Sequence, residues 1–196
     1  MKLIITRHGE TIENATKICQ GQLGGHLSKK GKIQVKKLAE RLKDEKIDVI
    51  YSSDLKRTKD TTRAIRKFHK DVSLYLDKRI RERFFGDYQG THYEANWPWQ
   101  SIAENPESCI EGDKQMCERI ENFLEEIIDK NKDKTVLVVS HGGVKKLLLN
   151  KIFRKHLPKV GEVEVIKNTS VSIFHISEKN KITPLVFNCT QHLAED

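Results

Sequence analysis

A short apolar strand ending in histidine and glycine occurs twice in this chain, and no other feature constrains the fold as tightly. The first copy is Leu3-Ile4-Ile5-Thr6-Arg7-His8-Gly9, and the second is Thr135-Val136-Leu137-Val138-Val139-Ser140-His141-Gly142-Gly143. Apolar and β-branched runs without polar alternation are typical of strands buried on both faces. The glycines stop regular structure, so each histidine falls where a strand delivers side chains to the lip of a sheet. In open α/β sheets, ligands bind outside the carboxyl ends of the strands. An imidazole beside the permanently charged fork of Arg7 suits an anionic substrate there, with histidine as nucleophile or base.

Between and around these copies, strand and helix patterns alternate. After Asn14, the glycine-dotted loop Cys19-Gln20-Gly21-Gln22-Leu23-Gly24-Gly25-His26 lets backbone approach a ligand closely. Ser28 is placed to cap a helix whose Val35, Leu38, Ala39 and Leu42 repeat at helical spacing. Residues 47–51 predict a second strand. Ser52-Ser53-Asp54 then read as the cap of a helix to about Phe68, with Thr58, Thr61, Ile65 and Phe68 inward and Arg57 in its first turn. Residues 72–76 predict a third strand. From 77 to about 112 no period is clean, and residues 84–112 read as an insertion covering the ligand-binding edge, packed down by Trp97 and Trp99.

Gly112 precedes a strongly amphipathic helix carrying Met116, Ile120, Phe123, Leu124 and Ile127, and the second histidine copy precedes one carrying Val144, Leu147, Leu148 and Ile152. Residues 171–176 and 185–187 flank the turn Glu178-Lys179-Asn180 as a hairpin-like pair. The alternation predicts a three-layer α/β/α sandwich, a mainly parallel sheet flanked by helices, as a single domain over 1–196. Such a sheet gathers its strand ends on one edge, which would bring His8 and His141 together with Arg7 and Arg57.

The chain carries 36 Lys and Arg against 28 Asp and Glu, a formal net charge of +8, so nucleic acid, an anionic membrane surface and a phosphorylated substrate all need weighing. Acids interleave with the bases (Glu40, Asp44, Glu45, Asp48), which is the pattern of a solvated surface. The basic residues that matter are therefore those beside glycines and strand ends. The four cysteines, at 19, 109, 117 and 189, show no Cys-x-x-Cys or matching histidine spacing, so neither a metal site nor a disulfide framework is expected. The apolar start is too short for a signal-peptide core and no run reaches membrane-spanning length, so a cytoplasmic location is expected.

Five motifs in order resemble the histidine phosphatase superfamily, in the branch that contains the cofactor-dependent phosphoglycerate mutases (branch 1). They are Arg7-His8-Gly9-Glu10-Thr11 with Asn14; Gln20-Gly21; Tyr51-Ser52-Ser53-Asp54-Leu55 with Arg57; Arg81-Glu82 before Phe85-Gly86-Asp87-Tyr88-Gln89-Gly90; and Ser140-His141-Gly142-Gly143. The resemblance extends through Asn168-Thr169-Ser170 to the stretch from Asn188 to Leu193. It implies that His8 accepts the phosphoryl group as a phosphohistidine, that Arg7, Arg57 and His141 form the cationic pocket, and that Asn14, Gln20, Gly21 and the Gly142 amide add contacts to the phosphate. Glu82 corresponds to the proton donor for the leaving group, and Glu10 ranks below it as a structural partner of neighbouring loops. Phosphoryl transfer depends chiefly on positioning and charge stabilisation, which fixed guanidinium groups supply without a metal or other cofactor.

Within the superfamily, the mutases carry a longer insertion between acid and second histidine, with a basic segment gripping a bisphosphate. Only residues 83–140 intervene here, and that basic segment is not recognisable. A shorter cover favours water as the acceptor, hence a metal-independent phosphomonoester hydrolase acting on a small phosphorylated metabolite. Tyr88-Gln89-Gly90 replaces a frequent Trp-Glu-Gly, and Gly24-Gly25-His26 replaces a loop usually containing Asp or Pro, departures that bear on substrate preference. A mutase or sugar-bisphosphate phosphatase is the nearest alternative, and a basic nucleic-acid-binding or phosphate-sensing module is the non-enzymatic one. The expectation is no nucleic-acid partner and no membrane, with a homodimer left open.

Overall fold

The two histidine-terminated strands lie side by side. A computed structural model describes residues 1–93, 109–153 and 165–194. Strand β1 (Lys2–Arg7) pairs in parallel with β4 (Thr135–Ser140), Arg7 facing Ser140 in register. On the other side of β4 follow β2 (Val49–Ser52) and β3 (Ser73–Leu76), both parallel. Beyond β1 come β5 (Val171–Ile176) and β6 (Ile182–Cys189), each antiparallel to its neighbour, giving the order β3-β2-β4-β1-β5-β6. The sheet is therefore mixed, with its parallel part where the sequence places it and the predicted C-terminal hairpin on one edge.

Helices cover both faces. Alternation along β1 sends Leu3 and Ile5 into one core and Ile4 into the other, and β4 does likewise with Val136 and Val138 against Leu137 and Val139. The first core is closed by α4 (Asp113–Lys130), through Met116, Ile120, Phe123, Leu124 and Ile127, and by α5 (Gly142–Leu147), which passes into a π-helical turn at Leu148–Ile152. The second is closed by α2 (Lys29–Leu42) and α3 (Lys56–Ile65). At about 2 kcal/mol for each fully buried large apolar side chain, the five from α4 contribute on the order of 10 kcal/mol before the cost of ordering. A one-turn helix, α1 (Ile12–Ala15), follows β1, with Thr11 and Asn14 forming a reciprocal capping box. Among the described residues no helix is long and apolar enough to cross a membrane.

Two local expectations change. Ser52-Ser53-Asp54 does not cap α3: β2 runs through Ser52, the N-cap is Leu55, and no side chain closes it. The three polar groups have other partners. Asp54 pairs with Arg81, Ser53 Oγ accepts from the Leu55 amide at 3.3 Å, and Ser52 Oγ donates to the Ser53 carbonyl at 2.9 Å. Phe68 is not on the inner stripe, being 46% exposed. The helix ends at Ile65, and short-range turns follow from Ile65 to Phe68 and from Arg66 to His69, which rotate Phe68 outward. His69 turns inward instead, its Nε2 donating to the Leu42 carbonyl at 2.9 Å. Trp97, Trp99 and the side chain of Ile152 lie outside what the structure describes.

Candidate active site

Because β1 and β4 are parallel and in register, His8 and His141 leave the sheet at the same edge. Their rings meet edge to face, with centroids 5.3 Å apart. Both side chains are buried, at 2% and 0% exposure. Arg7, one residue earlier, points to the opposite face, where its guanidinium lies against the start of α5: a Cβ added to Gly142 would sit 3.2 Å from Arg7 Nε. Arg57, in the first turn of α3, reaches across from the α2/α3 side and is 1% exposed.

The hydrogen bonds of His8 define one tautomer. Nδ1 lies 2.7 Å from the carbonyl of Gly9, which can only accept, so Nδ1 carries the proton. Nε2 in turn accepts from Arg57 Nε–H at 3.2 Å. Both contacts require a neutral ring with its lone pair on Nε2, directed into the site. Burial holds the His8 pKa well below its ordinary value of 6.5, and the charges of Arg57 and Arg7 lower it further. Burial does the same to His141, reinforced by Arg57, His8, Arg7 and Arg119. Ser53 Oγ lies 2.9 Å from His141 Nε2, a contact that a hydroxyl can make as donor or as acceptor.

The remaining contacts anchor these groups. Arg57 donates to the carbonyls of Leu23 (2.8 Å) and Gly21 (2.7 Å), which fastens the glycine-dotted loop to the site. Desolvation lowers the Arg57 pKa to about 10, which leaves it charged at neutral pH. Gly21 has φ +49° and its missing side chain makes room for Gln89, so both backbone and space require glycine. Arg7 Nη1 donates to the Ile166 carbonyl at 2.5 Å. Asn14 Oδ1 accepts from the Thr11 amide at 3.2 Å and from Asn168 Nδ2 at 3.3 Å. Glu82 Oε2 accepts from the Gly143 amide at 3.0 Å and Oε1 from the Arg83 amide at 2.9 Å. Glu10 is held elsewhere, by Ser28 Oγ at 2.7 Å at the cap of α2.

Arg7 Nε and His141 Nδ1 are buried with no hydrogen-bond partner among the described residues. Buried polar atoms are otherwise almost always paired. An unpartnered guanidinium N–H and an unpartnered imidazole nitrogen at the edge where His8 and Arg57 meet suit a ligand rich in acceptor oxygens, as a phosphoryl group is.

Comparison with known proteins agrees with that geometry. The sequence profile of the histidine phosphatase superfamily (branch 1) matches residues 3–189. The chain belongs to this superfamily. It is 34% identical over 205 aligned positions to phosphoglycerate mutase-like protein 4 of Arabidopsis thaliana, covering 99% of this chain and 87% of that protein. It is 33% identical over 195 positions to a metal-independent phosphoserine phosphatase of the same plant, covering 92% and 79%. Among solved structures, YhfR of Bacillus stearothermophilus superposes with a TM-score of 0.85 at 25% identity, covering 98% of this chain and 99% of that one. The activity class is that of a histidine phosphatase-type phosphomonoesterase.

In this histidine phosphatase the structure brings His8, His141, Arg7, Arg57, Asn14, Glu82, Gly21 and Gly142 to one edge of the sheet, whereas Gln20 turns its side-chain oxygen toward Gly25. Gly21 meets Arg57 through its carbonyl, and the Gly143 amide, given no role from sequence, binds Glu82. Sequence reasoning missed the group that orients His8, which is the carbonyl of the next residue. It also missed the clamp on the end of β1: Thr169 N donates to the Arg7 and His8 carbonyls (3.1 and 3.3 Å), and Asn168 Nδ2 donates to His8 O at 3.0 Å. Thr169 does this at φ +57°, a strained setting for a β-branched residue of the kind found at functional sites. Among the described residues, no group of three or more His, Cys, Asp or Glu side chains is placed to hold a metal ion.

Proposed function

We propose that this protein hydrolyses a small phosphomonoester through a phosphohistidine on His8, without a metal. The observation that carries the reading is the tautomer of His8, whose neutral ring presents the Nε2 lone pair between guanidinium groups. A phosphate oxygen is a stronger acceptor than an imidazole nitrogen, so an entering phosphoryl group draws Arg57 off that lone pair and onto itself. Arg7 Nε and His141 Nδ1 then find acceptors in its other oxygens, with Asn14, Gln20, Gly21 and Gly142 shaping the walls of the pocket. In the first step the Nε2–P bond forms as the P–O bond to the leaving group breaks, and the proton on Glu82 passes to the departing oxygen. In the second, the Glu82 carboxylate takes a proton from water, the resulting hydroxide oxygen attacks phosphorus, and the N–P bond breaks to release phosphate.

Residues 1–196 serve as one domain in this reading, and the stretch 84–112, of which 94–108 lies outside the described residues, is assigned the choice of substrate. The substrate is a small phosphorylated metabolite, and phosphoserine enters the test set because an Arabidopsis relative bears that name. A cytoplasmic setting is consistent with four cysteines that form no disulfide. The test is a panel of phosphomonoesters, phosphoserine and phosphoglycerates included, assayed with a chelator present. The wild type should release phosphate undiminished and His8→Ala should lose turnover by at least about 10⁴-fold. Chelator-abolished turnover, an active His8→Ala enzyme, or transfer between phosphoglycerates outpacing hydrolysis would each contradict the proposal.

A further inference from the structure

The segment that carries Glu82 to the site belongs to no sheet, yet its successive carbonyls are all held. Ile80 O accepts from Ser140 Oγ at 2.8 Å, at the end of β4. The carbonyls of Arg79, Arg81 and Glu82 converge on one guanidinium, that of Arg119 on α4: Nη1 donates to Arg79 O and to Arg81 O (2.9 Å), and Nη2 donates to Glu82 O (3.4 Å). The opposite edge of the same group is gripped by Glu111, Nε donating to Oε1 and Nη2 to Oε2 (2.7 Å). An arginine has five N–H donors in a rigid plane, and here all five have acceptors. Glu111 is itself tied to the far side of Glu82, exchanging a backbone bond with Phe84 (its amide to Phe84 O, 2.9 Å) and accepting the Phe84 amide on Oε2 at 3.3 Å. Helix α4, the chain entering Glu82 and the chain leaving it are thereby fixed through one planar side chain.

We propose that Arg119 is a positioning residue for Glu82, setting where the carboxyl stands relative to the oxygen of the leaving group. The proposal rests on the reading of Glu82 as proton donor. The amides of Gly143 and Arg83 fix the orientation of the carboxylate, while Arg119 fixes the backbone from which it projects. Proton transfer to a leaving oxygen tolerates little displacement: about 1 Å of misplacement costs on the order of 100-fold. The carbonyls of Arg79 and Arg81, stripped of their donor, would have to move to find water or another partner, and that of Glu82 would keep only Gln22 Nε2 (3.1 Å), so the backbone carrying Glu82 would shift with them. A lysine at the same place keeps the positive charge that acts on His141 but cannot reproduce the fork.

The test compares kcat/KM for an alkyl phosphomonoester, whose leaving oxygen needs a proton, with that for 4-nitrophenyl phosphate, whose leaving group does not. Wild type, Glu82→Gln, Arg119→Met, Arg119→Lys and Glu111→Gln are measured, with thermal midpoints to show that each folds. Glu82→Gln should lose alkyl activity selectively. Both Arg119 variants should lose about 10- to 100-fold on the alkyl substrate and little on the aryl one, and adding either to Glu82→Gln should cost nothing further on the alkyl substrate. Glu111→Gln, which loosens the guanidinium without removing it, should show a smaller loss with the same selectivity and carries the test if Arg119→Met does not fold. Equal losses on both substrates for the variants at Arg119 and Glu111, or full rescue by lysine, would overturn the proposal while leaving Glu82 as donor. Equal losses in Glu82→Gln itself would overturn the underlying reading, and this proposal with it.

Discussion

At the scale of single residues, the site works through atoms whose hydrogen bonds leave one orientation. His8 has its proton fixed by the Gly9 carbonyl and its lone pair turned inward, and Glu82 is fixed by two backbone amides. A side chain on Gly143 would collide with Glu82 Oε1, so Gly143→Ala should displace the acid. Alkyl phosphate hydrolysis should fall about 10- to 100-fold in that variant with nitrophenyl phosphate largely spared, as steady-state kinetics on the two substrates would show. His8, His141 and Arg57 were legible in the sequence because each sits at a strand end or helix start beside a glycine or small polar residue. The roles of Gly143, Asn168 and Arg119 were not. Their importance lies in what they reach across the fold, and nothing local in Glu118-Arg119-Ile120 distinguishes that guanidinium from one on a solvated helix face.

At the scale of elements, the strand–helix alternation was readable from apolar periodicity, whereas element ends were decided by tertiary partners. Asp54 is a good N-cap by residue type, but the bidentate pairing offered by Arg81 competes with the cap, and the cap moves one residue on to Leu55. The shift leaves Arg57 in the first turn of α3, where it ties that helix to the 21–23 carbonyls and to His8. Arg57→Lys keeps charge but loses the fork, so it should lower kcat/KM by about 100-fold. Amide hydrogen exchange in the 20–25 loop should rise in the same variant, and a loop with unchanged protection would contradict this anchoring role. Helix α5 holds a second buried cation, Lys145, whose Nζ donates to Ser170 O and Oγ at 2.9 Å each, with its pKa held well below the ordinary value by burial and by Arg7 and Arg41. Nothing in the apolar pattern of 144–152 marks that lysine as internal.

At the scale of the molecule, the site makes stability depend on pH. His8 and His141 are held neutral in the fold with pKa values below 6.5, while in the unfolded chain they take up protons near that pH. The unfolded state then binds more protons, so stability contributed by these two residues is present above about pH 6.5 and is lost as pH falls toward the folded values. The thermal midpoint of the ligand-free protein should fall on acidification below pH 6.5, and the fall should shrink in a His8→Asn, His141→Asn double variant. Saturating vanadate or phosphate should raise the midpoint, since either binds only the folded site. The net charge of +8 should also make kcat/KM for dianionic substrates decline with ionic strength. The sheet order followed from sequence only in outline: alternation implied parallel pairing, but which strands adjoin is set by where the crossovers land.

The central role assigned to His8 is tested most directly by trapping the phosphoenzyme. Enzyme mixed with a labelled phosphomonoester and quenched in base within one turnover should carry an acid-labile phosphoryl group, mapped by peptide mass spectrometry to His8 and absent from His8→Asn. A label on another residue, or hydrolysis with net inversion at phosphorus and no trapped label, would contradict it.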